Sequence, residues 1–401
     1  MKPGEIPSDV TAELAGRRVL VTGATGFVGG RLVERLAGVD GVGVRVLVRN
    51  LSRLARLARF DLEVARGDVT DRRSVEAAVE GCDVIVHCAY GSDGSARHQE
   101  RVNVDGTRNV IAAAAAANAA RVVHVSTVSV YGAVAEGVVD ESRPRRPPPD
   151  LYSRTKADAE RLAEAMAARG APVTIVQPTV VYGPWAPAWT VNVLAQLTSH
   201  RVMLVDGGRG VCNAVYVDDL VDGLLLSATS PRAVAQTFLL SGPEAVTWRE
   251  FYRRFERMLG FRSTVEVAAD DMTSFRRPRR SVVRESLDLL REDAASRERI
   301  LGAREPAALL RLARRVVPES WEQAVAASVW GTGEGESPEE DGEKPVLVLG
   351  RDARQLFAAR STVSHDKARR LLGYAPRWSF DDGMDLTESW ARWANLLPRS
   401  S

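Results

Sequence analysis

The strongest constraint on the fold is an alternation in the first 180 residues, where short continuous apolar runs separate stretches of helical periodicity. The runs lie at 19–22, 44–48, 83–89, 121–127 and 172–179. Helical patterns occur at 27–36, after residue 48, at 107–120 and at 152–169. A strand that is apolar on both faces must be covered on both, which is the condition of a parallel sheet between layers of helices. The chain is therefore expected to form a doubly wound parallel α/β sheet with a smaller mixed α/β lobe. Its 401 residues suffice for both. Residues 1–184 are assigned to the sheet domain and 185–401 mainly to the second lobe, with strands such as 214–217 free to return to the sheet. A helical, Arg- and Leu-rich insertion is expected at 262–330 and a Gly/Glu-rich acidic loop at 331–345.

Composition narrows the function classes. A formal net charge of +2 gives no basis for nucleic-acid binding. No stretch of about 18 apolar residues is present, so no membrane span is expected. The first 18 residues hold no apolar run, so no leader is expected. Cys82, Cys88 and Cys212 form no CxxC pair, which points to reduced thiols and a cytoplasmic location and away from a metal site. Between residues 276 and 315 stand 12 Arg against 6 Asp/Glu. That excess reads as a solvated helical face, an anionic-substrate clamp or a contact with an anionic membrane surface.

The first strand runs directly into Gly23-Ala-Thr25-Gly26-Phe27-Val28-Gly29 and then into a helix. Glycine is required where backbone approaches a pyrophosphate and where the helix packs closely on the strand. The helix N-terminus supplies unpaired N–H groups and the positive end of its dipole. This is a Rossmann-type dinucleotide site.

The spacing GxxGxxG resembles the extended short-chain dehydrogenase/reductases, the NAD-dependent epimerase/dehydratase family. Further motifs carry the resemblance in order: Gly67-Asp68-Val69, His87-Cys88-Ala89, Asn103 to Val110, Ser126-Thr127 to Gly132, Tyr152 to Lys156, Pro178 to Pro184, Val217 to Asp219, and Lys367 to Pro376. Gln177 stands where the family usually has arginine. The resemblance covers roughly 17–260 and 360–395. It implies that the cofactor is held by Gly23, Thr25, Gly26, Phe27, Val28, Gly29, Asp68, Val69, Ala89, Tyr90, Ser126, Tyr152, Lys156, Pro178, Val180 and Val181. At the end of the second strand an NAD enzyme would place an acid on the ribose hydroxyls, whereas this chain has Arg49, with Arg53 one turn on. A guanidinium suits a 2′-phosphate, so NADP is preferred and NAD is the alternative.

Chemistry is assigned to Tyr152, Lys156 and Thr127. Hydride transfer between a secondary alcohol and nicotinamide C4 requires proton transfer at the oxygen, by a group titrating near the working pH. A free tyrosine, with a pKa of about 10, is too weak a base at neutrality. Lys156 lies one helical turn after Tyr152 and would lower that pKa. The resemblance adds that the lysine binds the nicotinamide ribose and that Thr127 bonds the substrate oxygen. Tyr131 is read as structural.

The scaffold alone does not select a reaction. Val128 and Ser129 occupy the positions where related dehydratases carry an Asp-Glu pair, which weighs against dehydration. Three readings stay open: a carbonyl reductase/dehydrogenase acting on a nucleotide sugar or ring ketone, a nucleotide-sugar 4-epimerase with tightly bound NAD, and a non-catalytic binding module. Ser92, Val128, Trp185, Trp189 and Asn213 are the expected substrate contacts. Arg354 is a candidate for a nucleotide diphosphate. The resemblance implies pairing of two chains through the Ala-rich helix 107–120 and the helix 152–169, and the small residues Ala157, Ala163 and Ala167 leave room for it, so a homodimer is expected.

Overall fold

The structure, a computed structural model, describes residues 6–92, 94–268, 344–347 and 349–398. Its strands in chain order are β1 (Arg18–Thr22), β2 (Gly43–Val48), β3 (Glu63–Arg66), β4 (Val84–His87), β5 (Arg121–Val125), β6 (Val138–Val139), β7 (Val173–Pro178), β8 (Val180–Tyr182), β9 (Arg201–Val205), β10 (Ala214–Tyr216), β11 (Thr237–Leu240), β12 (Thr264–Val267), β13 (Val346–Leu347) and β14 (Thr362–Val363). The α-helices are α1 (Ser8–Leu14), α2 (Phe27–Leu36), α3 (Arg72–Val79), α4 (Ala96–Glu100), α5 (Gly106–Ala116), α6 (Leu151–Ala167), α7 (Asn192–Ser199), α8 (Val217–Thr229), α9 (Trp248–Leu259), α10 (Arg351–Ala358), α11 (Asp366–Leu372) and α12 (Phe380–Trp393).

Seven strands form one parallel sheet in the order β11-β7-β5-β4-β1-β2-β3. Alternate residues of each strand serve opposite faces. Val19, Val21, Val84, Val86 and Val123 pack with α1, α2, α8 and α11. Leu20, Ile85, Val122 and Ile175 pack with α3, α5 and α6. Both faces are covered, as continuous apolar strands demand. Two ion pairs join α2 to α8: Arg31–Asp218 at 2.6 Å and Arg35–Asp222 at 2.7 Å.

Three details depart from the sequence expectation. The strand at 63–66 has no apolar signature, because it is an edge strand with Glu63 and Arg66 exposed; charged edges resist pairing with another chain. The segment after residue 48 is a 3₁₀ helix, Leu51–Leu57, not an α-helix. It is Thr237–Leu240, not the segment around 214–217, that rejoins the large sheet. The chain turns out of that sheet at Thr179, whose N–H bonds Leu240 O at 3.1 Å, so β11 takes the edge beside β7 and β10 pairs with β8.

The second lobe has its own core around the fully buried Trp248, Phe251 and Phe255 of α9. That helix opens with a capping box in which Thr247 and Glu250 satisfy each other's backbone. A three-stranded sheet, β12-β9-β13, and the terminal helix α12 complete the lobe. At the start of the expected helical insertion, Thr264–Val267 forms strand β12. Most of that insertion, the arginine-rich stretch and residues 331–343 of the acidic loop lie outside the described residues.

Candidate active site

Four parallel strands end in one row, and the loops at their C-terminal ends build the site. Beyond β1, Gly23 has φ +69°, and a Cβ there would lie 2.6 Å from Ala89 N on the strand-end loop of β4. A Cβ on Gly29 would lie 2.4 Å from Gly23 O. Both positions accept only glycine, for reasons of close approach. Gly26 is different: its Cβ would meet nothing nearer than 3.1 Å, and its bare face lines the cavity. At the N-terminus of α2 no side chain caps the helix. By contrast, α3 is capped by Asp71 and α6 by Asp150. The free N–H groups of α2 thus suit a pyrophosphate.

The loop opens into a cavity of about 920 Å³, large for a small-molecule site. Every residue assigned to the cofactor from the sequence lines it: Gly23, Thr25, Gly26, Phe27, Val28 and Gly29, then Arg49, Arg53, Asp68, Val69, Ala89, Tyr90, Ser126, Tyr152, Lys156, Pro178, Val180 and Val181. Arg49 lies just past the end of β2 with its side chain about half exposed, 3.8 Å from the Asp68 carboxylate. The groove has the residues a dinucleotide needs: an uncapped helix end, a glycine cradle and cations where the adenosine would lie.

Tyr152, Lys156 and Thr127 converge at the middle of the cavity. Tyr152 lies beside Thr127, whose Oγ1 accepts the Ser129 N–H at 3.2 Å. Lys156 is buried, donates from Nζ to Val125 O at 2.8 Å, and lies 5.4 Å above the Tyr90 ring. Tyr90 in turn meets Tyr152 edge-to-face at 5.1 Å. Burial holds the Lys156 ammonium down at about 8. For Tyr152 the direction differs from the sequence expectation: burial raises its pKa, opposed by the neighbouring Thr127 hydroxyl. The lysine spends its short contact on a backbone carbonyl and an aromatic face instead.

The surrounding groups do not compete for the proton. Burial keeps the His87 imidazole at about 3 and pushes the Cys88 thiol up to about 12. Tyr131, also pushed up to about 12 by burial, donates to Gln177 Oε1 at 2.9 Å. Gln177 Nε2 donates to both Glu160 oxygens, at 2.9 and 3.0 Å, while Arg145 supplies the cation at 2.7 Å. Gln177, at the position of the family's usual arginine, thus shares the buried Glu160 with Arg145 from the loop before α6.

Of the expected substrate contacts, Ser92, Val128, Trp189 and Asn213 line the cavity. Two expected ligand contacts do not. Trp185, with φ +71°, stacks outside it on Trp390 and Trp393, with Arg56 5.0 Å over its ring. Arg354 belongs to α10, which lines the cavity through Asp352, Ala353, Gln355 and Leu356. The Asn213 amide pins β14 instead of standing free, donating to Ser361 O and accepting the Val363 N–H, both at 2.9 Å. The wall 352–363 is not legible in the sequence, where no motif or periodicity marks it.

The model of the NAD dependent epimerase/dehydratase family matches residues 19–240. The chain belongs to this family. Its relatives in that family are reductases, dehydratases and epimerases, and like them it is an enzyme of the NAD(P)-dependent oxidoreductase/epimerase type. Over 375 residues it is 30% identical to a 4-hydroxy-2-methyl-3-oxo-4-farnesyl-3,4-dihydroquinoline-1-oxide ketoreductase of Stigmatella aurantiaca, covering 92% of this chain and 95% of that one. It is 36% identical over 268 residues to a dTDP-glucose 4,6-dehydratase of Streptomyces niveus, covering 61% and 78% of the two chains. The fold matches that of the dTDP-glucose 4,6-dehydratase DesIV from Streptomyces venezuelae, solved with NAD and TYD bound, with a TM-score of 0.64 at 24% identity over 94% and 97% of the chains. Among the described residues, no helix is long and apolar enough to cross a membrane.

The desolvated lysine has a measurable signature in this family member. Between about pH 8 and its ordinary 10.5, an unfolded Lys156 binds a proton that the folded one lacks. The cost of burying this ammonium is therefore fully present below about pH 8 and is relieved as pH rises to about 10.5. Denaturant unfolding of wild type and Lys156→Met, measured against pH, should give a stability difference that grows in favour of wild type from pH 8 upward. A difference that stays flat contradicts a desolvated ammonium.

Proposed function

We propose that this chain is an NADP(H)-dependent carbonyl reductase/dehydrogenase. In the reductive direction, bound NADPH would supply hydride to the carbonyl carbon and Tyr152 would give its proton to the oxygen, so that a secondary alcohol and NADP⁺ result. Thr127 holds the carbonyl oxygen, and Lys156 binds the nicotinamide ribose and replenishes the charge balance beside the tyrosine. The observation that carries this reading is the convergence of Tyr152, Thr127 and Lys156 in the middle of the cavity, with Arg49 and Arg53 at its adenosine end.

NADP is preferred to NAD because Arg49 and Arg53 stand where an NAD enzyme would carry an acid at the end of β2. The same catalytic residues also suit a nucleotide-sugar 4-epimerase with tightly held NAD. That alternative is weaker, because Arg354, its candidate diphosphate ligand, is not among the cavity-lining residues. A cytoplasmic site of action is supported by three free cysteines, two of them buried.

The chain is also proposed to act as a homodimer through α5, where Ala112, Ala115 and Ala116 are exposed and small enough for a partner helix to approach. The small residues of α6 offer less support than the sequence suggested, since Ala157 and Ala163 are buried inside the protomer.

Three measurements test these assignments. A charge-assisted contact to the 2′-phosphate contributes about 1.5–3 kcal/mol. Arg49→Asp should therefore weaken NADPH binding about tenfold or more and leave NADH binding unchanged or improved; a wild type that prefers NADH contradicts the assignment. Tyr152→Phe should lower kcat by several orders of magnitude with NADPH affinity nearly intact, because the phenol acts in the transition state. Near-normal turnover by that variant would sink the mechanism. Light scattering should give twice the chain mass; a value equal to one chain refutes the dimer.

A further inference from the structure

We propose that the substrate is an uncharged, predominantly apolar carbonyl compound, and that this cavity rejects phosphorylated sugars by charge. The proposal rests on the carbonyl-reductase reading and names the class of carbonyl it serves.

Charge divides the cavity into two ends. Among the described residues, its lining holds three cations: Arg49 and Arg53 beside the adenosine position, and Lys156 at the reacting centre. Beyond Thr127 the charged lining residues are Asp150 and Asp352. Each sits at a helix start. Asp150 caps α6, accepting the Ser153 N–H at 2.8 Å, and Asp352 lies in the first turn of α10. The two helix ends that face the substrate are thus already met by carboxylates, which complement their dipoles and repel a second anion. Among the described lining residues, no guanidinium stands there to answer a diphosphate desolvated against the two acids, a costly arrangement.

Much of the remaining surface is apolar. Val128, Val134, Val139 and Val363 belong to one cluster that forms a side of the cavity, with Leu356 and Trp189 also lining it. Two of the polar groups in reach are engaged within the protein. The Asn213 amide holds the β14 backbone, and Ser129 Oγ accepts from Ser153 Oγ at 3.2 Å. A sugar with several hydroxyls would leave its own donors and acceptors unpaired against these valines, whereas an alkyl or ring surface would gain from burial.

The test uses the full-length chain, so the arginine-rich stretch is present. The protein saturated with NADP⁺ is titrated calorimetrically with UDP, dTDP, 2-decalone and α-tetralone. The two ketones should bind saturably, and the nucleoside diphosphates should give no saturable heat at millimolar concentration. Leu356 is 37% exposed, so the fold tolerates substitution there. Leu356→Lys should weaken ketone binding about tenfold with NADP⁺ affinity unchanged. Saturable binding of UDP or dTDP at micromolar concentration, or ketones that fail to bind at their solubility limit, would overturn the proposal. Binding is read without turnover. Ketones that bind but never draw on NADPH would count against the reductase reading and leave the substrate class standing.

Discussion

The site depends on one close approach, that of Gly23 to the Cys88–Ala89 peptide. With room for no side chain between them, the end of β1 passes directly against the end of β4, and α2 starts at a fixed height above the sheet. Gly29 repeats the constraint one turn into the helix, against Gly23 O. The uncapped N–H groups of α2 are consequently aimed along the row of strand ends. The same parallel register that sets Thr22 beside His87 sets His87 beside His124, and so fixes where Ser126 and Thr127 emerge. Tyr152 and Lys156 then need only one helix, α6, packed against that row.

Electrostatics in the cavity arise from this packing. Lys156 is buried among β4, β5 and Tyr90, so its charge is costly; His87 and His124 beneath it are kept neutral first by their own burial and then by that charge. A low-dielectric centre with one cation is suited to stabilising a developing phenolate or alkoxide. The acids of the substrate half are kept to helix starts, at Asp150 and Asp352, and the arginines to the adenosine end. This ordering, more than any single residue, separates the cofactor half from the substrate half.

Much of the arrangement is legible in the sequence because its causes are local. The glycine loop, the strand-end Thr127 and the Tyr152–Lys156 spacing each reflect a short-range rule, and the parallel sheet reflects runs that are apolar on both faces. The illegible parts depend on long-range pairing. The strand Glu63–Arg66 is polar because it has one neighbour. Trp185 and Arg354 carry plausible side chains for a ligand, yet α12 captures the first and helix geometry turns the second from the cavity. The wall 352–363 reaches the site because β14 pairs with β6, more than 200 residues earlier in sequence. Asn213 reads as a substrate contact from its position in the chain, whereas its amide serves that same pairing region. Gln177, a departure from the family pattern, meets the buried Glu160 together with Arg145 from another segment.

The most direct test is a crystal structure of the full chain with NADP⁺. It should show the pyrophosphate on the N-terminus of α2, the 2′-phosphate against Arg49, and the nicotinamide between Tyr152 and the valine wall with Lys156 Nζ on its ribose. A cofactor seated elsewhere, or a nicotinamide turned away from Tyr152, would contradict it.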